Sequence, residues 1–377
     1  MKNSALPLLP TLAGVVAGTV TVLVVMMAFV QPQFQTIQNQ IDLLAQTSST
    51  LRTPIVNTTP PIQIVPIEPR PLVPAYPPAF LERRLSSVLT LIRRGRADSQ
   101  PIGVERELGA AVAITSDGWI ATSRSAVEGL RLNELSVAWS GRVYPVKRAV
   151  RDTATDVVYL NIDVQGLPAA TFARASDVES GAAVWLESRP GQLRADLIID
   201  SSSMTSGEIL SSERPGRRFL VQGLSGKNLG AAIWDGGGKL VGIAETANDN
   251  SMRVIPAEGL GAALAQLTSS GEIRRPLLGI RGIDLADTVL DTTSSTFPQL
   301  GTWVRAVPVG TPAYRNLAEN DVIERVERDI LDGTADLGER LMDYRPGVTI
   351  TLYGRRNGQP FQAKVTLGSH NTAETVK

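Results

Sequence analysis

Hydrophobic and polar positions divide the chain into three regions of different character. Residues 12–30 form an unbroken apolar run, residues 53–80 are crowded with proline, and the remainder alternates short apolar runs with turn residues. Short apolar runs bounded by Gly, Asp and Ser are typical of strands in antiparallel, barrel-like domains. We therefore predict a mostly β fold that begins after residue 80.

The apolar run 12–30 contains no charged residue. At about 1.5 Å per residue, a helix of this length crosses a hydrocarbon core of about 30 Å. Lys2 precedes the run and uncharged residues follow it, which places the N-terminus, residues 1–11, in the cytoplasm. A cleaved signal peptide is the alternative, although its apolar region is usually shorter. We predict a single-pass anchor with the folded domains exported.

Residues 31–80 are predicted to be a linker, rich first in Gln and then in Pro. Phe34, Ile37, Ile41 and Leu44 have helical spacing, so a short self-associating helix and a polar stalk are both open. The prolines that follow lack an N–H and have a fixed φ angle. Their density favours an extended polyproline II spacer.

One stretch after the spacer has a clear helical pattern. Its apolar residues fall on a single helix face and are Ala257, Leu260, Ala263, Leu264 and Leu267. Gly271 is expected to end this helix. A second β-rich unit follows and closes with a hairpin that turns at Asn357-Gly358.

Composition excludes several classes of function. The 37 basic and 37 acidic residues balance, which argues against a nucleic-acid-binding protein. The absence of cysteine excludes disulfides, thiolate metal sites and cysteine nucleophiles. The single histidine, His370, lies in a polar tail, 370–377, that we expect to fray, so it is unsuited to catalysis or zinc binding. We expect no metal and no cofactor.

Four stretches, in the expected order, resemble the HtrA/Deg family of trypsin-like serine proteases. They are GAAVAITSDGWIATS from residue 109, DTATDVVYLNID from 152, GLSGKNLGAAIWDGGGKLVGIAE from 223 and VIP from 254. The family consists of a trypsin-like double β-barrel followed by PDZ domains. The resemblance implies a trypsin-like domain at 81–272 and a PDZ domain at 273–369, behind an N-terminal transmembrane helix.

The same resemblance places Ser125 at the position of the catalytic histidine, Asp156 at the acid and Leu229 at the nucleophile. Leucine has no nucleophilic atom, and a serine cannot accept the proton that a hydroxyl nucleophile must lose. Lys227 replaces a glycine of the oxyanion hole. The resemblance therefore implies a member without a catalytic triad, in which Asp156 accepts hydrogen bonds at a barrel turn.

Ser225 and Lys227 offer a different interpretation of the same stretch. Residues two apart share a face of a strand, so these side chains could form a serine–lysine pair. A polar loop is the ordinary interpretation. An active protease with an unrecognised site is kept as an alternative.

Residues 275–282 and 301–327 resemble the beginning and middle of a PDZ domain. PDZ domains bind a free C-terminus by strand addition, and backbone N–H groups hold the carboxylate. The resemblance assigns those donors to Leu278, Gly279 and Ile280. It assigns the pocket for the terminal side chain to Leu277, Leu337 and Leu341, although for the last two a core position is equally open.

We therefore expect a membrane-anchored pseudoprotease that serves as a scaffold, adaptor or stress-sensing regulator. Its PDZ domain would bind C-terminal peptides of unfolded or partner proteins in the periplasm or another extracytoplasmic space. The resemblance also implies a homotrimer, or a hetero-oligomer with an active paralogue. The alternatives are an active trypsin-like endopeptidase and a structural envelope protein with a blocked PDZ groove.

Overall fold

The structure is a computed structural model that describes residues 78–79, 86–94, 103–203, 209–222, 228–247, 251–286, 288 and 298–377. The predicted N-terminus at 1–11, the predicted anchor at 12–30 and almost all of the predicted linker at 31–80 lie outside the described residues. Ser225 and Lys227 also lie outside them. Within the described ranges, no helix has the length and apolar character needed to cross a bilayer.

Six strands close into a first barrel. They are β1 (Val88–Arg93), β2 (Glu107–Ala113), β3 (Trp119–Ser123), β4 (Leu135–Trp139), β5 (Arg142–Asp152) and β6 (Val157–Ile162). The order is β5-β4-β1-β2-β3-β6, and β6 pairs back onto β5. Alternate residues of these strands fill the interior, among them Leu89, Leu91, Leu135, Val137 and Leu160. A short helix, α1 (Arg124–Val127), follows β3.

Six further strands form a second closed barrel, in the order β10-β13-β12-β11-β7-β8. The strands from this part of the chain are β7 (Ala183–Arg189), β8 (Gln192–Ser203), β9 (Leu210–Ser211), β10 (Arg218–Gln222), β11 (Ala232–Trp234), β12 (Leu240–Ala247) and β13 (Ser251–Pro256). β9 lies outside the barrel. A buried cluster with Val88, Tyr159, Trp185 and Trp234 joins the two barrels, so they pack as one body.

The predicted helix is confirmed as α2 (Leu260–Ser270). Leu260, Ala263, Leu264 and Leu267 are buried against the cluster between the barrels. Gly271 ends the helix with φ +77°, and its N–H donates to the Leu267 carbonyl. A left-handed residue at this position is the usual helix stop, and glycine adopts it without strain.

A third unit follows α2. Its elements are β14 (Arg274–Leu277), β15 (Arg281–Asp284), β16 (Thr302–Ala306), β17 (Val322–Val326), β18 (Asp329–Ile330), α3 (Leu337–Met342), β19 (Thr349–Arg356), β20 (Gln359–Thr366), β21 (Gly368–Asn371) and β22 (Ala373–Thr375). The main sheet has the order β20-β19-β17-β16-β15-β9, and β14 pairs with β21. The predicted turn at Asn357-Gly358 joins β19 to β20, with positive φ at both residues.

The prediction of a frayed tail at 370–377 was wrong. His370 lies in β21 opposite Arg275, and β22 pairs with β5 of the first barrel. The Leu132 N–H donates to the Lys377 carbonyl at 3.1 Å. The tail is held mainly through its backbone, so its polar side chains gave no sign of a strand.

A buried ion pair fastens the third unit to the first barrel. The Arg275 guanidinium of β14 donates to the Asp152 carboxylate at 2.6 Å, and the Asp152 side chain is 0% exposed. Asp152 also accepts from the Ala154 N–H and the Thr155 hydroxyl. A buried carboxylate needs such partners, because desolvation penalises an uncompensated charge.

Candidate functional site

The three positions that the resemblance assigned to catalysis lie on segments that meet at α1. Ser125 is on α1, Asp156 is in the turn between β5 and β6, and Leu229 is in the turn before β11. The Arg124 N–H donates to the Asp156 carbonyl at 2.8 Å. Leu229 packs against the first-barrel cluster that also contains Ala126 and Val127 of α1. The structure thus brings the three segments together, and the catalytic positions assigned to these residues stay a prediction.

The backbone around Leu229 is fixed by close contacts. The Ala110 N–H donates to the Leu229 carbonyl at 2.9 Å. The next residue, Gly230, has φ +73°, and a Cβ there would lie 2.0 Å from the Ala110 oxygen and 2.3 Å from Thr122 Oγ1. Only glycine fits this position. The turn therefore presents an apolar, partly buried side chain with no atom able to attack a carbonyl.

The Asp156 carboxylate is occupied by arginines. Its side chain is 6% exposed; Oδ1 accepts from Arg151 at 2.5 Å and Oδ2 accepts from Arg214 at 2.5 Å. Arg124 adds a third positive charge at 4.0 Å. Asp156 itself has φ +62°, so it sits at a left-handed turn position as well as at the centre of an ion cluster. Both carboxylate oxygens are used, and the chain's only histidine, His370, is in β21.

Two of the three N–H groups assigned to carboxylate binding, those of Gly279 and Ile280, already have partners within the chain. Gly279 donates to Glu213 Oε1 at 2.8 Å, and Ile280 donates to Ser212 Oγ at 3.2 Å. The Ser212 N–H in turn donates to the Ile280 carbonyl at 3.1 Å. Leu278 is buried, and its carbonyl accepts from the Ala313 N–H.

These partners belong to residues 209–217, which we call the bridging segment. It connects the second barrel to the third unit through β9, which pairs antiparallel with β15. Sequence reasoning missed this segment and its roles, because Ser211-Ser212-Glu213-Arg214-Pro215-Gly216 has the composition of a plain polar turn. Its function as a strand depends on backbone pairing with residues far along the chain.

The residues assigned to the peptide pocket are divided by the structure. Leu337 and Leu341 of α3 are both buried in the core of the third unit. Leu337 also lines a small cleft that contains Leu210 of the bridging segment. Leu277 pairs with Gly368 of β21 and lies outside the residues lining that cleft.

The N-terminus of α3 binds the bridging segment through hydrogen bonds and an ion pair. Asp336 Oδ2 accepts from the Gly216 and Arg217 N–H groups at 2.5 and 3.1 Å. Arg217 Nε donates to Glu339 Oε1 at 2.7 Å. Burial, followed by repulsion from Asp336, raises the pKa of Glu339 to about 7 in spite of Arg217. Burial also raises the pKa of Asp336.

The arrangement supplies no metal centre within the described ranges. No group of three or more His, Asp or Glu side chains in that part of the chain is placed to hold an ion. The site contains the edge of β15, two backbone N–H donors in the loop before it, and a group of charged side chains at the N-terminus of α3.

Known proteins share this organisation. The family model of the trypsin-like peptidase domain matches residues 109–243. A probable periplasmic DegP-like serine endoprotease of Halomonas elongata is 27% identical over 70% of this chain. The periplasmic pH-dependent serine endoprotease DegQ of Escherichia coli is 24% identical over 73%. The chain is therefore similar to proteases of the HtrA/Deg family.

The match extends over only part of the HtrA/Deg relatives. The chain spans 56% of the length of the Halomonas protein and 62% of DegQ. A solved structure of the HtrA-type protease AlgW with a tripeptide has a TM-score of 0.56 and 21% identity. That likeness covers 78% of this chain and 98% of the other, and it shows the shared fold.

We predict that Asp156→Asn lowers the free energy of unfolding by about 1–3 kcal/mol, because it leaves Arg151 and Arg214 without a buried counter-charge. Asparagine also tolerates the left-handed conformation, so backbone strain is unchanged. The control is Asp163→Asn, which removes an exposed ion pair with Lys147 and should cost less than about 0.5 kcal/mol. Urea unfolding measures both, and equal losses would contradict the ion-cluster argument.

We predict that Glu339 makes stability depend on pH. Its folded pKa of about 7 lies above the ordinary value of 4.5, so the folded state keeps a proton that the unfolded state has lost. Stability is therefore greatest below the ordinary pKa and falls as pH rises through the folded pKa. Relative to Glu339→Gln, the wild type should lose roughly 3 kcal/mol between about pH 4 and pH 8.

Urea unfolding across this pH range measures the effect. Glu324→Gln, which removes an exposed carboxylate paired with Arg355, serves as the control and should keep the wild-type slope. Parallel pH profiles for the wild type and Glu339→Gln would contradict the assignment.

Proposed function

We propose that the chain is a membrane-anchored pseudoprotease that binds C-terminal peptides of exported proteins and acts as a scaffold or adaptor. The observation that carries the first part is Leu229, whose apolar side chain stands in the turn aligned with the family's nucleophile and packs on the first-barrel core. Peptide hydrolysis by this family's chemistry needs an activated hydroxyl at that place.

The surroundings of Asp156 support the loss of the catalytic acid and of the catalytic base. A catalytic aspartate orients the imidazole of the base, whereas Ser125 stands at the aligned base position and Arg151 and Arg214 hold the carboxylate. A base would therefore have to displace two ion pairs to reach Asp156.

The third unit is proposed to be a PDZ-like domain. Residues 277–280 precede β15, whose outer edge pairs with β9, and α3 flanks that edge. A strand edge beside a helix, with backbone N–H groups at one end, is the arrangement by which peptides are bound through strand addition. The HtrA-type protease AlgW, which has the same fold and was solved with a tripeptide, adds support from a relative.

The location of the protein is proposed from the sequence and from relatives. The apolar run 12–30 supplies a membrane anchor, and the Halomonas and Escherichia relatives are named as periplasmic. We place the folded domains outside the cytoplasm, and we propose a homotrimer or a hetero-oligomer with an active paralogue.

We predict that the full-length protein in detergent does not react with a fluorophosphonate probe and does not cleave casein. The physical reason is the leucine at the aligned nucleophile position. Trypsin provides the positive control, and Ser225→Ala provides the matched variant. Labelling that disappears in Ser225→Ala would instead establish the alternative, an active serine endopeptidase with a different nucleophile.

We predict that the full-length protein binds peptides only when their C-terminus is free. A library of fluorescent hexapeptides is compared with the same library amidated, because amidation removes the charge that the loop N–H groups would hold. Binding that is indifferent to amidation, or absent throughout, would favour a structural envelope protein with a blocked groove.

A further inference from the structure

The bridging segment lies along β15 in the position of an added strand. Leu210 is opposite Gly282 and Ser211 is opposite Arg281 in antiparallel register. The segment therefore runs along β15 towards the loop at 278–280. In strand addition, the main-chain bonds supply affinity, and the end of the added chain meets the carboxylate-binding loop.

A carboxylate is found at that end of the strand. Glu213 Oε1 accepts from the Gly279 N–H at 2.8 Å, and Ser212 Oγ accepts from the neighbouring Ile280 N–H at 3.2 Å. The two seryl hydroxyls, Ser211 and Ser212, donate to the two oxygens of Glu213 and orient it. The side chain of Glu213 thus supplies the charge that a free C-terminus would bring.

The chain then leaves the groove by a tight turn. The Arg214 N–H donates to the Ser211 carbonyl at 2.9 Å, which reverses the chain immediately after the carboxylate. Backbone atoms of Arg214 and Pro215 lie so close to Gly338 of α3 that a Cβ there would be 2.7 Å from the Arg214 oxygen. The segment is therefore packed against both walls, β15 on one side and α3 on the other.

We propose that the bridging segment is an internal ligand of the groove, and that a protein chain end with a free carboxylate binds by displacing it. This inference rests on the proposed peptide-binding function and adds its regulation. The competitor is part of the same chain, so it acts at an effective concentration of the order of mM whatever the protein concentration.

Displacement of the bridging segment would also affect Asp156, through Arg214. This residue follows Glu213 directly, and its guanidinium holds Asp156 Oδ2. When Glu213 leaves the 278–280 loop, Arg214 loses the turn that positions it. Occupation of the groove by a chain end is thus coupled to the charge balance at Asp156, at the junction of the barrels.

A reversible lock tests the proposal in the full-length protein. Ser211 and Arg281 are exposed cross-strand partners, and the chain contains no cysteine. Antiparallel partners have Cα atoms about 4.5–5.5 Å apart, which a disulfide spans. Ser211→Cys/Arg281→Cys therefore fixes the segment in the groove when oxidised. The matched control is Thr349→Cys/Thr366→Cys, a cross-strand pair of the β19–β20 hairpin.

The probe is a fluorescein-labelled peptide that copies residues 206–211 and ends in an added leucine with a free carboxylate. The oxidised lock should bind it at least about tenfold more weakly than the same variant in its reduced form, and reduction should restore binding. The oxidised control should match the wild type. Equal binding by the oxidised and reduced lock overturns the proposal and leaves the peptide-binding function intact.

Hydrogen exchange separates failure of the inference from failure of the proposed function. Glu213→Ala removes the acceptor of the Gly279 N–H, so hydrogen exchange at Gly279 and Ile280 should accelerate. Glu319→Ala, which removes an exposed acid of the same unit, is the control and should leave this exchange unchanged.

Unchanged exchange in Glu213→Ala overturns internal occupancy. Accelerated exchange supports occupancy even if the probe binds no form, in which case the receptor function fails. Probe binding by Glu213→Ala alone also supports the proposal.

Discussion

The Asp156 carboxylate and its arginines are the interaction on which the arrangement of the site depends. A nearly buried carboxylate must be compensated, and here the compensation comes from Arg151 on β5, Arg124 on α1 and Arg214 on the bridging segment. The Asp156 carboxylate therefore connects the first barrel to the bridging segment, which leaves the second barrel and returns to it. Arginines thus surround the carboxylate of Asp156, which the resemblance to the HtrA/Deg family assigned to the acid position.

The third unit is attached to the barrels at two places, and different kinds of interaction hold each one. Near β14, the Arg275–Asp152 ion pair is buried and short. Near α3, the bridging segment is held by strand pairing, by Asp336 and by the Arg217–Glu339 pair, whose side chains are mostly buried. The first attachment is costly to break because it leaves a buried charge alone. The second includes the β9–β15 pairing and the bonds to the Gly279 and Ile280 N–H groups, which another strand with a carboxylate can form in its place.

Elements with a local signature were predictable from the sequence. α2 has a helical stripe and a glycine stop, and the β19–β20 hairpin has Asn357-Gly358 at its turn. The family motifs assigned Ser125, Asp156 and Leu229 to one site, and this assignment stays a prediction. β9, β22 and the contact of Arg214 with Asp156 were not predictable, because the strands are only two and three residues long and all three pair with residues distant in the chain. Leu337 and Leu341 could not be divided between groove and core, since both lie on the same face of a short helix.

The pairing of β22 with β5 links folding of the first barrel to a strand far along the chain. The Thr153 N–H donates to the Thr372 carbonyl, and these residues are 219 positions apart. Contacts of such separation form late, because a long loop must close before they stabilise anything. During synthesis the six strands of the first barrel are made long before β22, so the edge of β5 that β22 covers is paired only after the second barrel and most of the third unit exist.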